Sequence, residues 1–182
     1  MRILLTAFGP FHTNSFNPTE HVARLVREEW QRADELTVEI LPVEYGAARA
    51  RVAELGAFDV HIALGLAADR TVPTIERFAM NRRDARVADN SGFIATGEEV
   101  DAGAPLALET TLPFKEMITR AREAGFPLEE SRSAGLYVCN TVMFTAIQNS
   151  ARAGFLHLPP QEHFSLDDGA ALVDLLLEIA GE

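Results

Sequence analysis

At 182 residues, with 47% hydrophobic and 24% charged side chains, the chain has the size and mixture of one ordinary globular unit spanning residues 1–182. That composition excludes the disordered, collagenous and disulfide-stapled classes. With 27 acidic residues against 16 basic, the net charge is −11, so nucleic-acid and anionic membrane partners are not expected.

Residues 3–7 read as a buried strand closed by Gly9-Pro10. Asn17 then caps a helix with Pro18 in its first turn, and Val22, Leu25, Val26 and Trp30 form the apolar face. Residues 36–43 alternate as a second strand, 45–55 form a helix ended by Gly56, and 60–64 are a wholly apolar third strand. This strand–helix–strand rhythm belongs to an α/β domain with a largely parallel sheet. Residues 74–81 read as a strand, and 82–113 as a long polar stretch holding a hairpin built on Val87 and residues 93–96. A helix is expected over 114–124, a strand over 131–138, a helix over 140–152 stopped by Gly154, and a short strand over 155–158. Ser165 and Asp168 cap a last helix over 167–180.

The lone cysteine, Cys139, excludes an intrachain disulfide and a multi-cysteine metal site, and it suits a reducing cytoplasm. No segment approaches the ~20 apolar residues of a membrane span, and the opening run is too short for a signal peptide. Cys139 falls where a strand gives way to a helix. Unpaired N–H groups and the helix dipole there favour a thiolate. On position alone, a nucleophile and a buried structural thiol stand level. A thiol nucleophile needs a base, and the base needs an orienting group. Of His12, His21, His61, His157 and His163, spacing favours His157 at the end of a short strand, with His12 as its rival and His163, in the loop that follows, as a weaker one. His61 reads as structural and His21 as solvated. Glu76 interrupts an apolar strand, so it either pairs with an arginine such as Arg77 or orients a histidine.

Four collinear stretches carry a resemblance. They are Leu5-Thr6-Ala7-Phe8-Gly9-Pro10-Phe11 followed by Asn17-Pro18; Glu76-Arg77-Phe78-Ala79-Met80-Asn81 followed by Asp84-Ala85-Arg86 and Asp89-Asn90; Ala134-Gly135-Leu136-Tyr137-Val138-Cys139-Asn140; and Gly154-Phe155-Leu156-His157-Leu158-Pro159. Together they resemble the pyroglutamyl peptidase I family of cysteine peptidases. The resemblance puts the nucleophile on Cys139, the base on His157 and the orienting carboxylate on Glu76. It puts pocket residues on Phe8, Phe11 and Asn17, with Tyr137 and Val138 completing the wall, and Arg86 close to the active site. Leu66 stands at a position where the family has glutamine. The chain also departs from the family pattern at Ala7, at His12-Thr13, at Thr141 and in a shorter segment between Cys139 and His157.

The resemblance implies a phosphorylase/hydrolase-like, three-layer α/β/α sandwich with a mostly parallel twisted sheet. It implies a cytoplasmic homo-oligomer, dimer or tetramer, that hydrolyses the amide bond after an N-terminal pyroglutamate. The acyl-transfer chemistry needs no metal or organic cofactor. Because the lactam is neutral, selectivity rests on shape, apolar walls and a few hydrogen bonds; Phe8, Phe11, Phe16 and Tyr137 supply the aromatics. Two other readings stand beside it. One is an enzyme of altered substrate on the same fold, phosphorylase-like or peptidyl-tRNA hydrolase-like, although no phosphate-cradling glycine loop is present. The other is a non-catalytic binding descendant.

Overall fold

The structure, a computed structural model, describes residues 1–11 and 16–182; the readings placed on His12 and Thr13 fall outside the described residues. In chain order its elements are β1 (Arg2–Phe8), α1 (Pro18–Glu29), β2 (Glu35–Leu41), α2 (Tyr45–Leu55), β3 (Val60–Leu66), β4 (Thr74–Glu76), β5 (Phe78–Met80), β6 (Arg83–Asp84), β7 (Thr96–Glu98), β8 (Ala107–Glu109), α3 (Phe114–Glu123), β9 (Glu129–Ser131), α4 (Val138–Asn149), β10 (Arg152–Leu158) and α5 (Leu166–Gly181).

Six strands form the central sheet in the order β2-β1-β3-β10-β4-β9. The first four run parallel, β4 joins β10 antiparallel, and β9 runs with β4. Alternation decides what each face buries. Ile3, Leu5, Ile62, Leu64, Leu156 and Leu158 pack beneath α1, α3 and α5, whereas Phe8, Ala63 and Phe155 pack beneath α2 and α4. The result is the expected α/β/α sandwich. Each fully buried Leu or Phe contributes ~1.5–3 kcal/mol to it. The caps also form as read: Asn17 Oδ1 accepts the Thr19 N–H at 3.1 Å, and Ser165 Oγ accepts the Asp168 N–H at 3.1 Å.

Four local readings are corrected. The single strand over 74–81 divides at Arg77 into β4 and β5. Arg77 gives its N–H to Ser131 O and takes the Thr110 N–H, so the chain bends out of the main sheet and β5 pairs with β8. The hairpin in the long polar stretch is β6 with β7, and Val87 and Phe93 are exposed outside any strand. The strand expected over 131–138 stops at Ser131. Beyond it, serine-turn bonds (Gly135 N–H to Ser133 Oγ, 3.2 Å) and Gly135 at φ 76° make a loop that an extended strand cannot follow. Helix α4 consequently starts at Val138 rather than Asn140. It ends at Asn149, because β10 begins pairing with β3 at Arg152 opposite Val60.

Candidate active site

The site begins with the parity of β10. Leu156 and Leu158 face one layer and Phe155 the other, so His157 points to the α4 side. In register, His157 lies beside Gly65 of β3 and Thr74 of β4, and Phe155 lies beside Glu76. The antiparallel step from β10 to β4 thus brings Glu76 alongside His157. His157 Nδ1 and Glu76 Oε1 are 2.7 Å apart, so this bond engages Nδ1 and not Nε2. Both side chains are buried, Glu76 completely and His157 to 7% exposure.

An unpaired carboxylate in such a place would be strongly disfavoured. Burial raises the Glu76 carboxyl. The hydrogen bond and charge of His157, followed by Ser131 and Arg70, outweigh that effect and hold it below the ordinary carboxylate value. Arg70, in the loop after β3, donates Nη1 to the same Oε1 at 2.6 Å and also to Thr74 Oγ1; its Nη2 donates to Ser131 Oγ at 3.2 Å. Of the two fates read for Glu76, the structure shows both at once, but with Arg70. Arg77 turns away to Glu109 at 2.8 Å and Glu130 at 3.4 Å.

Cys139 is the second residue of α4. Its position is fixed from below and from the side. A Cβ placed on Gly65 would lie 3.0 Å from Cys139 Sγ and 2.7 Å from Phe155 Cζ, so the thiol rests on the sheet where β3 lacks a side chain, next to His157. Asn140 fixes the helix end laterally. Its amide takes the Met80 N–H at 2.8 Å and donates to Met80 O at 2.8 Å and Arg82 O at 2.9 Å. The thiolate expected from the helix terminus is not favoured at rest. Burial pushes the Cys139 thiol up to about 12 and the Glu76 carboxylate adds to this; the backbone N–H of Cys139 and the Arg70 charge oppose it more weakly. Desolvation wins over the helix end because only the first turn's N–H groups act on the sulfur.

Beside the thiol opens a cavity of about 300 Å³, lined by Phe8, Phe11, Phe16, Asn17, Val43, Leu66, Ala68, Tyr137 and Cys139. Its aromatic wall is braced edge to face: Phe11 meets Tyr137 with ring centroids 5.7 Å apart, and Tyr45 backs Tyr137 at 5.3 Å. Tyr137 is further held by its hydroxyl donating to Ala88 O at 2.8 Å. Five of the seven pocket residues read from the sequence therefore line the cavity. Val138 does not, because the first turn of α4 rotates its side chain into the core, where it is fully buried. Arg86 does not either. It is exposed and lines an adjoining groove with Phe11, Ala85, Val87 and Tyr137. Asn17 is committed structurally as well, donating Nδ2 to Gly9 O at 2.9 Å while Oδ1 caps α1.

His61 and His21 sit as read. His61 is buried, with Nε2 3.0 Å from Thr6 Oγ1, and burial lowers it to about 3; His21 is exposed and stacks on Phe16. Arg70, Val43 and Ala68 went unread. Arg70 had a signal, an arginine six residues before a carboxylate inside an apolar strand; Val43 and Ala68 had none beyond their neighbourhood.

An α/β/α sandwich with a thiol at a helix start beside a carboxylate-bound imidazole defines a cysteine-dependent hydrolase. The family model described as pyroglutamyl peptidase matches residues 1–174, and the chain belongs to that family. It is 37% identical over 168 residues to the pyrrolidone-carboxylate peptidase of Pyrococcus furiosus, covering 87% of this chain and 81% of that protein. It is 38% identical over 192 residues to the pyrrolidone-carboxylate peptidase of Chromobacterium violaceum, covering 98% and 91%. A solved mutant pyrrolidone carboxyl peptidase from Pyrococcus furiosus matches the fold with a TM-score of 0.93 at 31% identity, over 99% of this chain and 98% of that one.

Proposed function

We propose that this protein removes pyroglutamate from the amino termini of peptides, with Cys139 as nucleophile, His157 as general base and Glu76 as the carboxylate that orients the imidazole. The observation that carries this reading is the buried 2.7 Å His157–Glu76 bond next to Gly65, the residue on which Cys139 rests at the edge of an aromatic cavity.

The substrate's lactam ring enters the cavity between the aromatic residues, which offer shape and apolar area and no carboxylate to grip an ammonium group. Leu66 contributes an apolar side chain, so hydrogen bonds to the ring from that position come from its main chain. A thiol pushed up to about 12 keeps its proton at rest, so deprotonation accompanies attack. His157 Nε2 takes the proton as Sγ bonds to the acyl carbon, and the first-turn N–H groups of α4 face the developing oxyanion. The carbon–nitrogen bond then breaks, and His157 returns the proton to the leaving amine. Water adds to the thioester, giving one proton to His157. The carbon–sulfur bond breaks, free pyroglutamate leaves, and Sγ recovers its proton. Arg86, in the adjoining groove, meets the peptide beyond the scissile bond.

No described helix is long and apolar enough to cross a membrane. A reducing cytoplasm, in which a lone thiol stays active, is the compartment this chemistry suits. Family likeness supports a homo-oligomer, dimer or tetramer, and the chain acting as one domain.

The test is kcat/KM for pyroglutamyl-, prolyl- and alanyl-aminocoumarin amides side by side. The prolyl analogue lacks the ring carbonyl and buries an unpaired ammonium, each costing a few kcal/mol, so a preference of about a hundredfold or more is expected. Cys139→Ala abolishes turnover. Equal rates on all three amides, or turnover surviving Cys139→Ala, overturns the assignment.

A further inference from the structure

We infer that Arg70 is a positioning residue for the base: by sharing Glu76 Oε1 with His157, it locks the orienting carboxylate and keeps the buried cluster electrically neutral until His157 takes up a proton. The inference rests on the Cys139–His157–Glu76 reading above and adds a fourth member to it.

The geometry is that of a clamp. The guanidinium reaches Glu76 at 2.6 Å, Thr74 on the same strand, and Ser131 on β9 at 3.2 Å. Its planar fork is thus tied to two adjacent strands, and Oε1 is held between two donors in one place. A lysine could supply the charge but not the fork.

The charge count is equally specific. Glu76 is completely buried and Arg70 only 25% exposed. With His157 neutral and the thiol protonated, the pair sums to zero. Without Arg70 a lone carboxylate would remain in the interior, and the nearest group able to compensate it is His157, by holding a proton. An imidazolium cannot accept the thiol's proton, so the base would be disabled at neutral pH. Among the described residues, no neighbour can stand in for Arg70. From α4 the cluster is faced by Cys139, from β10 by His157, and from β4 and β9 by the uncharged Thr74 and Ser131. Arg77, the next arginine along, is engaged with Glu109 and Glu130. Arg70 does not line the substrate cavity, so its loss reaches kcat rather than KM.

The experiment is the pH dependence of kcat and kcat/KM on the pyroglutamyl amide, from about pH 5 to about pH 9, for wild type, Arg70→Gln and Arg70→Lys. Removing the cation makes protonation of His157 easier, so in Arg70→Gln the acid limb moves up by about one pH unit or more. At neutral pH kcat falls on the order of tenfold while KM holds. Arg70→Lys keeps the limb near the wild-type position and loses several-fold in kcat through slack orientation. Should Arg70→Gln fail to fold, Ser131→Ala with Thr74→Val loosens the fork and shifts the limb in the same direction by less. An acid limb that stays in place in the variant lacking the cation, or that shifts equally in both Arg70 variants, overturns the inference. If Cys139→Ala is dead in the same assay, such a result condemns the role of Arg70 alone; if Cys139→Ala is active, the triad itself is wrong.

Discussion

Gly65→Ala is a one-carbon change that tests how Cys139 is seated. The new Cβ would stand 2.7 Å from Phe155 Cζ, 2.8 Å from Phe155 Cε1 and 3.0 Å from Cys139 Sγ. Carbon atoms in a packed interior sit ~3.5–4.0 Å apart, so the ring must retreat by about 1 Å and the thiol by somewhat less. Phe155 is fully buried and the first turn of α4 is pinned by Asn140, so neither side has slack. Overpacking of this kind costs ~1–3 kcal/mol, which for a chain of this size lowers the melting temperature by about 3–10 °C. Chemistry suffers more than stability. A misplacement of about 1 Å between reacting groups costs on the order of a hundredfold in rate. The assay pairs calorimetry with kcat on a pyroglutamyl amide. Adding Phe155→Leu removes the ring clash but not the thiol clash, so in the double variant the stability losses are less than additive while activity stays low. A Gly65→Ala protein with wild-type melting and at least a third of wild-type kcat would refute the seating of Cys139 on β3.

Other outcomes follow from groups outside the cavity. His61 has an ordinary value of 6.5 and is lowered by burial to about 3, so below pH 6.5 the unfolded chain takes up a proton that the folded one refuses. Stability from this group is therefore lost as pH falls through that window, by about 3 kcal/mol between pH 7 and pH 4; urea titrations of wild type and His61→Gln at the two pH values measure the difference, and equal losses in both would contradict it. Because burial pushes Cys139 up to about 12, iodoacetamide should alkylate the substrate-free protein at a rate that climbs with pH without levelling before about pH 10; a plateau near pH 8 would show a thiolate at rest. Glu76 lies below its ordinary value of 4.5, so its contribution is present above that pH and is lost as pH falls toward the folded value; acid unfolding of Glu76→Gln should be correspondingly flatter than that of wild type. Asn140→Ala deletes three backbone contacts at the foot of α4 and should cost ~2–4 kcal/mol by denaturant titration, with kcat falling further than the residual folded fraction explains.

What the sequence disclosed was set by short-range pattern. The alternation Phe155-Leu156-His157-Leu158 already implies that His157 and Phe155 share a face, and a lone Glu76 in an apolar run already implies a buried partner. What it withheld depended on long-range pairing or rotation. Only the antiparallel β10–β4 register brings Glu76 to His157, and only the chain's turn at Gly135 sets the phase of α4. That phase buries Val138 and exposes Cys139 to the cavity, a distinction that adjacency in sequence hides. The pKa of the thiol is hidden in the sequence for a related reason. A helix terminus is readable from local sequence, whereas the desolvation that overrides it is the sum of everything packed around it. Arg70 is hidden because its partners, Thr74 and Glu76 on β4 and Ser131 on β9, meet it only once those two strands pair.

The segment between β5 and α3 leaves the main sheet yet is fastened to it at a few side chains. Asn81 binds Asp101 O at 2.8 Å and Ala104 O at 3.2 Å and accepts the Asp101 N–H at 2.8 Å; Asp89 accepts from Tyr45 N, Ser91 and Phe93; and Asn140 holds Met80 and Arg82 next to Cys139. For protein engineering this divides the segment into a part that can be rebuilt and a part that cannot. Its outer stretches, where Val87, Ile94 and Leu106 are exposed, can carry a grafted epitope or a longer loop. Its roots at Met80 and Arg82 cannot, because the Asn140 bonds that anchor them also hold the first turn of α4, which carries the sulfur.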